Sequence, residues 1–351
     1  MEKGKTWWPS PNWTSNDSSR MGRNQTEAID PVYVFTPAGN TAKHVLCLVL
    51  SVIGTVGFVG NCSLFYFLWQ KKTTSPIQKS RFVRSLNLYM RSLSLSDLLS
   101  CSLSLPLLCL QILFDLMQSG WLCKMVRYLN FVFPAITINN LVVISLAKYL
   151  STRKNPYTLG ITAVRRMIIG AWILGITTML LPAATYDGVA VRLNDSHFTV
   201  ICRYNQNFYP FQITAVIFPL QYVIPGIFIT YVNTCLLKTL WNRTGRQIRH
   251  AKTSAFKAKL TVTRIRATYL LISLTFAFIC PYFVYIGNTA YTQIMKPQRS
   301  FSTDYIVRYV GGSIGAYFSS ALNFIIYFVQ IKDFRAYLRN NFRSRCIRIY
   351  T

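Results

Sequence analysis

The fold class that this sequence predicts is an all-α membrane protein, a seven-transmembrane helix bundle followed by a short amphipathic eighth helix. Three observations predict it: long apolar runs, a shortage of charge, and a one-sided distribution of cations. Uncharged stretches occupy 44–70, 128–147, 167–186, 204–237, 267–295 and 309–331, and a seventh, 92–114, is broken only by Asp97. Each meets the roughly 20 residues that a helix needs to cross the hydrocarbon core of a bilayer. The run 204–237 is long enough to hold a loop before its helix. Charged residues are 14% of the chain, against about 25% in an ordinary soluble domain. The runs are continuous, whereas barrel strands alternate over about ten residues. Helices also satisfy every backbone N–H and C=O within the segment, as lipid demands.

The formal net charge is +28, and its placement decides what it means. Of 38 Lys and Arg, 26 fall in 71–91, 148–166, 238–266 and 332–351, with only Asp333 among them. These are alternate connections plus the C-terminal tail. That positive-inside pattern puts them in the cytoplasm and the N-terminus outside. A nucleic-acid partner would require one continuous basic face, which alternate loops do not make. The N-terminal tail, 1–43, is polar and has no apolar h-region, so no cleavable signal peptide is expected and the first span is expected to direct insertion. Sequons at Asn12, Asn16, Asn24 and Asn194 fall on the external side and are candidates for glycosylation.

Nine cysteines divide by compartment. Cys47, Cys62, Cys101, Cys109, Cys235 and Cys280 lie in apolar spans, where a thiol behaves as a small hydrophobe. Cys123, at the start of the third span, and Cys202, in the loop before the fifth, are the two external cysteines and are expected to pair in an oxidising compartment. Cys346 follows an amphipathic stretch and is a candidate for palmitoylation, with a free thiol as the alternative. The chain therefore divides into an external tail 1–43, a bundle 44–330, and a segment 331–351. In that last segment Phe334, Leu338 and Phe342 recur at helical spacing among Lys332, Arg335, Arg339 and Arg343. Such a helix is expected to lie on the inner membrane surface, apolar side in lipid and cations toward anionic head groups.

The polar residues inside the spans carry the resemblance. The first span holds Gly60-Asn61, the second Leu93-Ser94-Leu95-Ser96-Asp97-Leu98 with Pro106 beyond, and the third begins Trp121-Leu122-Cys123. The fourth has Trp172 and Pro182, the fifth Pro225, the sixth Pro281, and the seventh Asn323-Phe324-Ile325-Ile326-Tyr327. In this order, over roughly 45–346, the set resembles the rhodopsin-like G-protein-coupled receptors. The resemblance implies a receptor for an extracellular ligand that engages heterotrimeric G proteins, and also arrestin. It implies that Cys123 and Cys202 form the family's disulfide. Asp97 is the one acid inside a span, and a lone carboxylate in hydrocarbon must be protonated or paired. The resemblance gives it Asn61, Thr137, Ser319 and Asn323 as polar partners, a ring that can hold a sodium ion; a neutral, hydrogen-bonded acid is the plainer alternative. Pro225 and Pro281 are expected to kink the helices that move on activation, and Pro134 is a further candidate kink.

Three departures bear on the activation switch, which the resemblance places at Lys148, Tyr149, Ile279, Pro281 and Tyr327. The family's Asp/Glu-Arg-Tyr is here Ala147-Lys148-Tyr149, which loses the acid and replaces a planar multi-donor fork with a point charge. Ile279 stands where an aromatic switch is usual, and Phe324 where a proline is usual; Asn233 replaces the inner tyrosine of span five. With the acid gone no neighbour is expected to hold the cation at rest, which favours raised basal activity over a silent receptor. The ligand is constrained by exclusions. The position of the acid that anchors biogenic amines is Asn130, and that of the lysine that binds retinal is Tyr317. Asn130, Pro134, Gln221, Tyr282, Phe283, Tyr309 and Tyr317 are expected to line an aromatic, uncharged pocket. Lys124, Arg127, Arg203 and Arg308 could make its entrance basic, which suits an acidic or peptide ligand, although Asp115, Asp187, Asp195 and Asp304 share that side. A small organic or lipid ligand fits the same pocket.

Two further readings compete. A channel or transporter calls for more intramembrane charge or paired broken helices, and neither is seen. A signalling-silent seven-helix protein is kept open by the span-three triplet. An enzyme is not expected: there is no metal-ligand spacing, phosphate loop or nucleophile–base pair, and His44, His197 and His250 stand apart.

Overall fold

A computed structural model describes residues 31–35, 38–70, 80–114, 120–152, 159–193, 196–204, 210–249, 255–295 and 300–350. Asn12, Asn16, Asn24 and Asn194 lie outside them, and the side chains of Tyr309, Arg308 and Cys346 lie outside what is described.

Seven helices among the described residues are long and apolar enough to cross a membrane. They are α1 (Asn40–Gln70), α2 (Arg81–Leu113), α3 (Gly120–Thr152), α4 (Ile161–Ala184), α5 (Pro210–Arg249), α6 (Ala255–Met295) and α7 (301–330). α8 (Lys332–Tyr350) follows after a single residue. The outward faces of α1, α4, α5 and α6 are apolar: Val45, Leu48, Ile173, Ile227 and Phe276 are all exposed. Apolar faces turned outward are the inverse of a soluble bundle and need lipid for a solvent.

α2 and α7 are not uniform. α2 contains a π turn at Ser100–Ser104, just before Pro106. A proline has no N–H to give and crowds the preceding turn, and a widened turn relieves both. α7 has its π turn at Val310–Ile314, over Gly311 and Gly312. α3 runs through Pro134 as one helix.

The helices approach closely where glycine permits. Gly54, Gly57 and Gly60 form a stripe on α1 that faces Leu105 and Cys101 of α2 and Phe324 of α7. At Gly60 a Cβ would collide with Cγ of Phe324, so the ring that occupies the family's proline position is seated on a residue without a side chain. Gly175 of α4 meets the backbone of Ile136 on α3 in the same way.

At one end of the bundle lies a small sheet: β1 (Val32–Tyr33) runs parallel to β3 (His197–Tyr204), which pairs antiparallel with β2 (Tyr186–Arg192), Gly188 opposite Cys202. In sequence this connection reads as a loop; the structure makes it a hairpin. Its signal is the run of Val189, Val191, Thr199, Val200 and Ile201 on either side of Asn194-Asp195. The Cys123–Cys202 disulfide, with Cα atoms 5.5 Å apart, ties the hairpin to the start of α3.

The opposite end is the basic one. There Arg91 donates from Nε to the carbonyl of Leu68 at 3.1 Å, and also from Nη2, capping the last turn of α1 while it packs on Trp69. α8 departs from expectation in one respect. Phe334 is wholly buried against Phe67 of α1 and Phe324 of α7, and Tyr337 also packs on Phe67. The first apolar turn of α8 is thus spent on protein rather than lipid, because α8 leaves α7 directly beneath the end of α1.

Candidate functional site

The polar and aromatic residues singled out by sequence fall in three layers. Nearest the hairpin, Ser104 of α2, Asn130 of α3 and Tyr317 of α7 converge. Ser104 and Tyr317 both donate to Oδ1 of Asn130, at 2.7 and 2.8 Å, and their hydroxyls are 2.5 Å apart. One turn above Asn130, the Arg127 guanidinium lies 5.4 Å from the ring of Tyr186 on β2, which also packs on Phe131. Lys124 pairs with Asp187 at 3.6 Å, so the two charges on the hairpin side partly cancel while Arg127 points at an aromatic face. On the far wall Tyr222 stacks on Tyr282 at 5.3 Å, and Tyr282 stacks on Phe278 at 4.5 Å. Gln221 donates to Thr178 at 2.5 Å, and Pro134 is buried in α3.

One expectation fails here. Phe283 is 76% exposed on the lipid face and does not line the pocket. It follows Tyr282 directly, and successive helical residues are about 100° apart, so both cannot face inward. Ile279 is partly buried against the core, but the aromatic below the pocket is its neighbour Phe278.

The middle layer is centred on Asp97, only 3% exposed. Ser320 donates to its Oδ1 at 3.0 Å and Asn323 to its Oδ2 at 2.8 Å. Asn61 donates to the carbonyls of Gly57 and Ser320 at 2.9 and 3.1 Å, which joins α1 to α7 beside the acid. The expected ring is therefore corrected in two places. Ser320, not Ser319, binds the carboxylate, and Thr137 pairs with Ser96 at 3.0 Å. Ser319 and Ser320 precede Asn323 by four and three residues, and both positions lie on its face of the helix, so spacing alone does not choose between them. A second relay holds α2, α3 and α4: Trp172 donates to Ser92 at 2.9 Å, and Ser92 to Asn140 at 2.9 Å.

The basic end holds the switch residues. Lys148 is 5% exposed, and its ammonium sits 3.5 Å from the centroid of the Phe82 ring on α2. The expectation that no neighbour holds this cation is thus wrong: an aromatic face does what the missing acid cannot. Tyr327 is buried without exposure and Tyr149 partly so. Two polar ties hold α6 in place: Asn233 of α5 donates to Thr275 at 3.0 Å, and Gln330 of α7 to Ser273 at 2.6 Å. Pro281 lies within α6, its carbonyl close to Gly315 of α7.

Comparison with known proteins agrees with this geometry. The family model described as "7 transmembrane receptor (rhodopsin family)" matches residues 74–327. The chain is 24% identical over 285 residues to the neuropeptide Y receptor type 6 of Mus musculus, covering 77% of this chain and 71% of that protein. It is 23% identical over 309 residues to a melanopsin of Branchiostoma belcheri, covering 82% of this chain and 41% of that protein. It is 27% identical over 155 residues to "Rhodopsin, GQ-coupled" of Mizuhopecten yessoensis, covering 42% of this chain and 29% of that protein. The matches thus span less than half the length of either opsin. With a family model over most of its length, seven apolar helices and the polar landmarks in their places, the chain belongs to the rhodopsin family of seven-transmembrane receptors: it is a G-protein-coupled receptor of the plasma membrane, and not an enzyme.

Proposed function

We propose that this receptor, with its N-terminus and hairpin outside the cell, transmits the binding of a ligand that is neither a carboxylate-anchored amine nor covalent retinal. The carrying observation is the Ser104–Asn130–Tyr317 triad. Both anchor positions that would define those ligand classes are filled by neutral groups bonded to each other. A cationic amine finds no charge there, and a retinal aldehyde finds no amine with which to form a Schiff base. Arg127 beside Tyr186 supports a ligand with an acidic group, either a peptide or a small organic or lipid acid. Relatives named as neuropeptide Y receptors favour the peptide.

The basic end then faces heterotrimeric G proteins, and arrestin as a second partner. Glycans on Asn12, Asn16, Asn24 and Asn194 and a palmitoyl chain on Cys346 belong to the same orientation. A sodium ion at Asp97 fits the residues present: the side-chain oxygens of Asn61 and Asn323 are buried and have no hydrogen-bond partner. These two oxygens and the carboxylate are the hard donors such a cation takes. Bound there, it would supply positive charge that keeps Asp97 ionised.

The test uses cells that display the receptor at measured surface density. Peptide and lipid-acid libraries are expected to yield agonists that lose at least about tenfold in potency with Arg127→Gln, the scale of one charge-assisted contact. Biogenic amines are expected to give no response, and added retinal no visible-absorbing pigment. A retinal pigment or an amine agonist would sink the ligand assignment.

A further inference from the structure

We infer that Phe82 is the resting-state partner of Lys148, a positioning residue whose ring holds the cation away from the G-protein site and releases it on activation. The inference deepens the receptor reading and rests on it for its functional consequence.

The cleft around Lys148 is lined by Phe82, Ser85 and Tyr89 of α2, by Ser151 of α3, and by Leu159 and Val164 at the start of α4. Among the described residues that line the cleft, none comes from α5, α6 or α7. Lys148 is thus turned toward α2 and the start of α4. Neither 71–91 nor 148–166 contains a carboxylate. Arg81, which also lines the cleft, repels a second cation. A buried ammonium beside a second cation gains from a ring face, and that of Phe82 lies 3.5 Å from the Lys148 ammonium.

Phe82 is itself held in place. Ser80 caps α2 by accepting from the N–H of Val83 at 3.4 Å, so Phe82 sits in a capped first turn. Arg91 ties α2 to the end of α1 two turns further on. The ring is thus presented by a fixed element, while Lys148 has four rotatable bonds with which to leave it.

A two-state equilibrium shifts only by the difference in contact between its states. The contact with Phe82 exists in the arrangement seen here, with α6 tied by Asn233–Thr275 and Gln330–Ser273. A Lys148 that engages a G protein must give it up. Losing the ring therefore favours the open state by about tenfold, the scale of a desolvated cation–π contact. Low basal activity follows, in place of the raised activity that a lone lysine would imply.

The test compares wild type with Phe82→Leu, Phe82→Tyr and Lys148→Met. Two readouts are taken on each: ligand-free G-protein signal per surface receptor, and, on purified receptor, emission of a fluorescent amino acid incorporated at the exposed Arg266 position near the basic end of α6. Phe82→Leu is expected to shift the reporter toward the open state and to raise the signal about tenfold, while Phe82→Tyr, which keeps the ring, stays with wild type. Lys148→Met, which keeps the stem and removes the charge, is expected to shift the reporter without raising the signal. It serves as the deciding variant if Phe82→Leu does not reach the surface. A Phe82→Leu receptor whose reporter stays at the wild-type value overturns the latch, as does a Phe82→Tyr receptor that opens as far as Phe82→Leu. A Lys148→Met reporter that does not move overturns it as well. If the reporter opens but no G protein responds, the latch stands and the coupling reading fails.

Discussion

Asp97→Ala is expected to leave most of the receptor inside the cell. The carboxylate is the point at which α2 accepts from Ser320 and Asn323 of α7, and Asn61 of α1 holds the same turn through the Ser320 carbonyl. Removing it orphans a hydroxyl and an amide in a layer 3% exposed or less to solvent, and each orphan costs about 1–3 kcal/mol. A total of about 2–6 kcal/mol is a large part of the 5–15 kcal/mol that holds a domain together. The measurement is surface receptor as a fraction of total, with an antibody to the N-terminal tail. A fall of about tenfold is expected, with one residue named as the cause. Asp97→Asn separates the two roles of the acid. It keeps the shape and an acceptor oxygen, so most expression is expected to survive. Any dependence of the resting equilibrium on sodium is expected to vanish with the charge. Sodium sensitivity that persists in Asp97→Asn would contradict the cation assignment.

Cys123→Ala and Cys202→Ala are expected to be nearly as severe. The bond closes a loop across 79 residues, a constraint worth about 4–5 kcal/mol in the chain-entropy account. Its loss also frees β3, and with it the hairpin that places Tyr186 beside Arg127. Both single variants are expected to lose surface expression, and the double variant to be no worse than either, because both substitutions delete one bond. Losses that added in the double variant would show that each cysteine acts separately.

Much of this was legible in the chain. Seven apolar runs gave seven spans because lipid imposes one solvent and one length on every crossing. Asn61, Asp97 and Asn323 were legible because polar groups are costly in a span and stand out against it. The Cys123–Cys202 bond followed from topology. What was not legible depends on contacts between helices distant in sequence. Nothing in the order of residues says that Phe324 rests on Gly60, or that Phe82 covers Lys148. Facing direction was the other difficulty. Tyr282 and Phe283 both read as pocket residues beside Pro281, yet only Tyr282 faces inward, since α6 can present only one face to the pocket. The choice of Ser320 over Ser319 is of the same kind. The departures at Ala147 and Lys148 read as a broken lock because the sequence shows only what is missing; the replacement lies on another helix.

This bundle is expected to couple to a G protein through Lys148. The direct measurement is guanine-nucleotide exchange on purified heterotrimers of each subtype, stimulated by receptor in reconstituted membranes, with wild type, Phe82→Leu and Phe82→Leu/Lys148→Ala at matched density. Exchange is expected with at least one subtype, stronger with Phe82→Leu and reduced to the level of empty membranes when Lys148 is removed. Exchange that stays at the empty-membrane level for every subtype in folded Phe82→Leu receptor, or that persists without Lys148, would contradict this coupling.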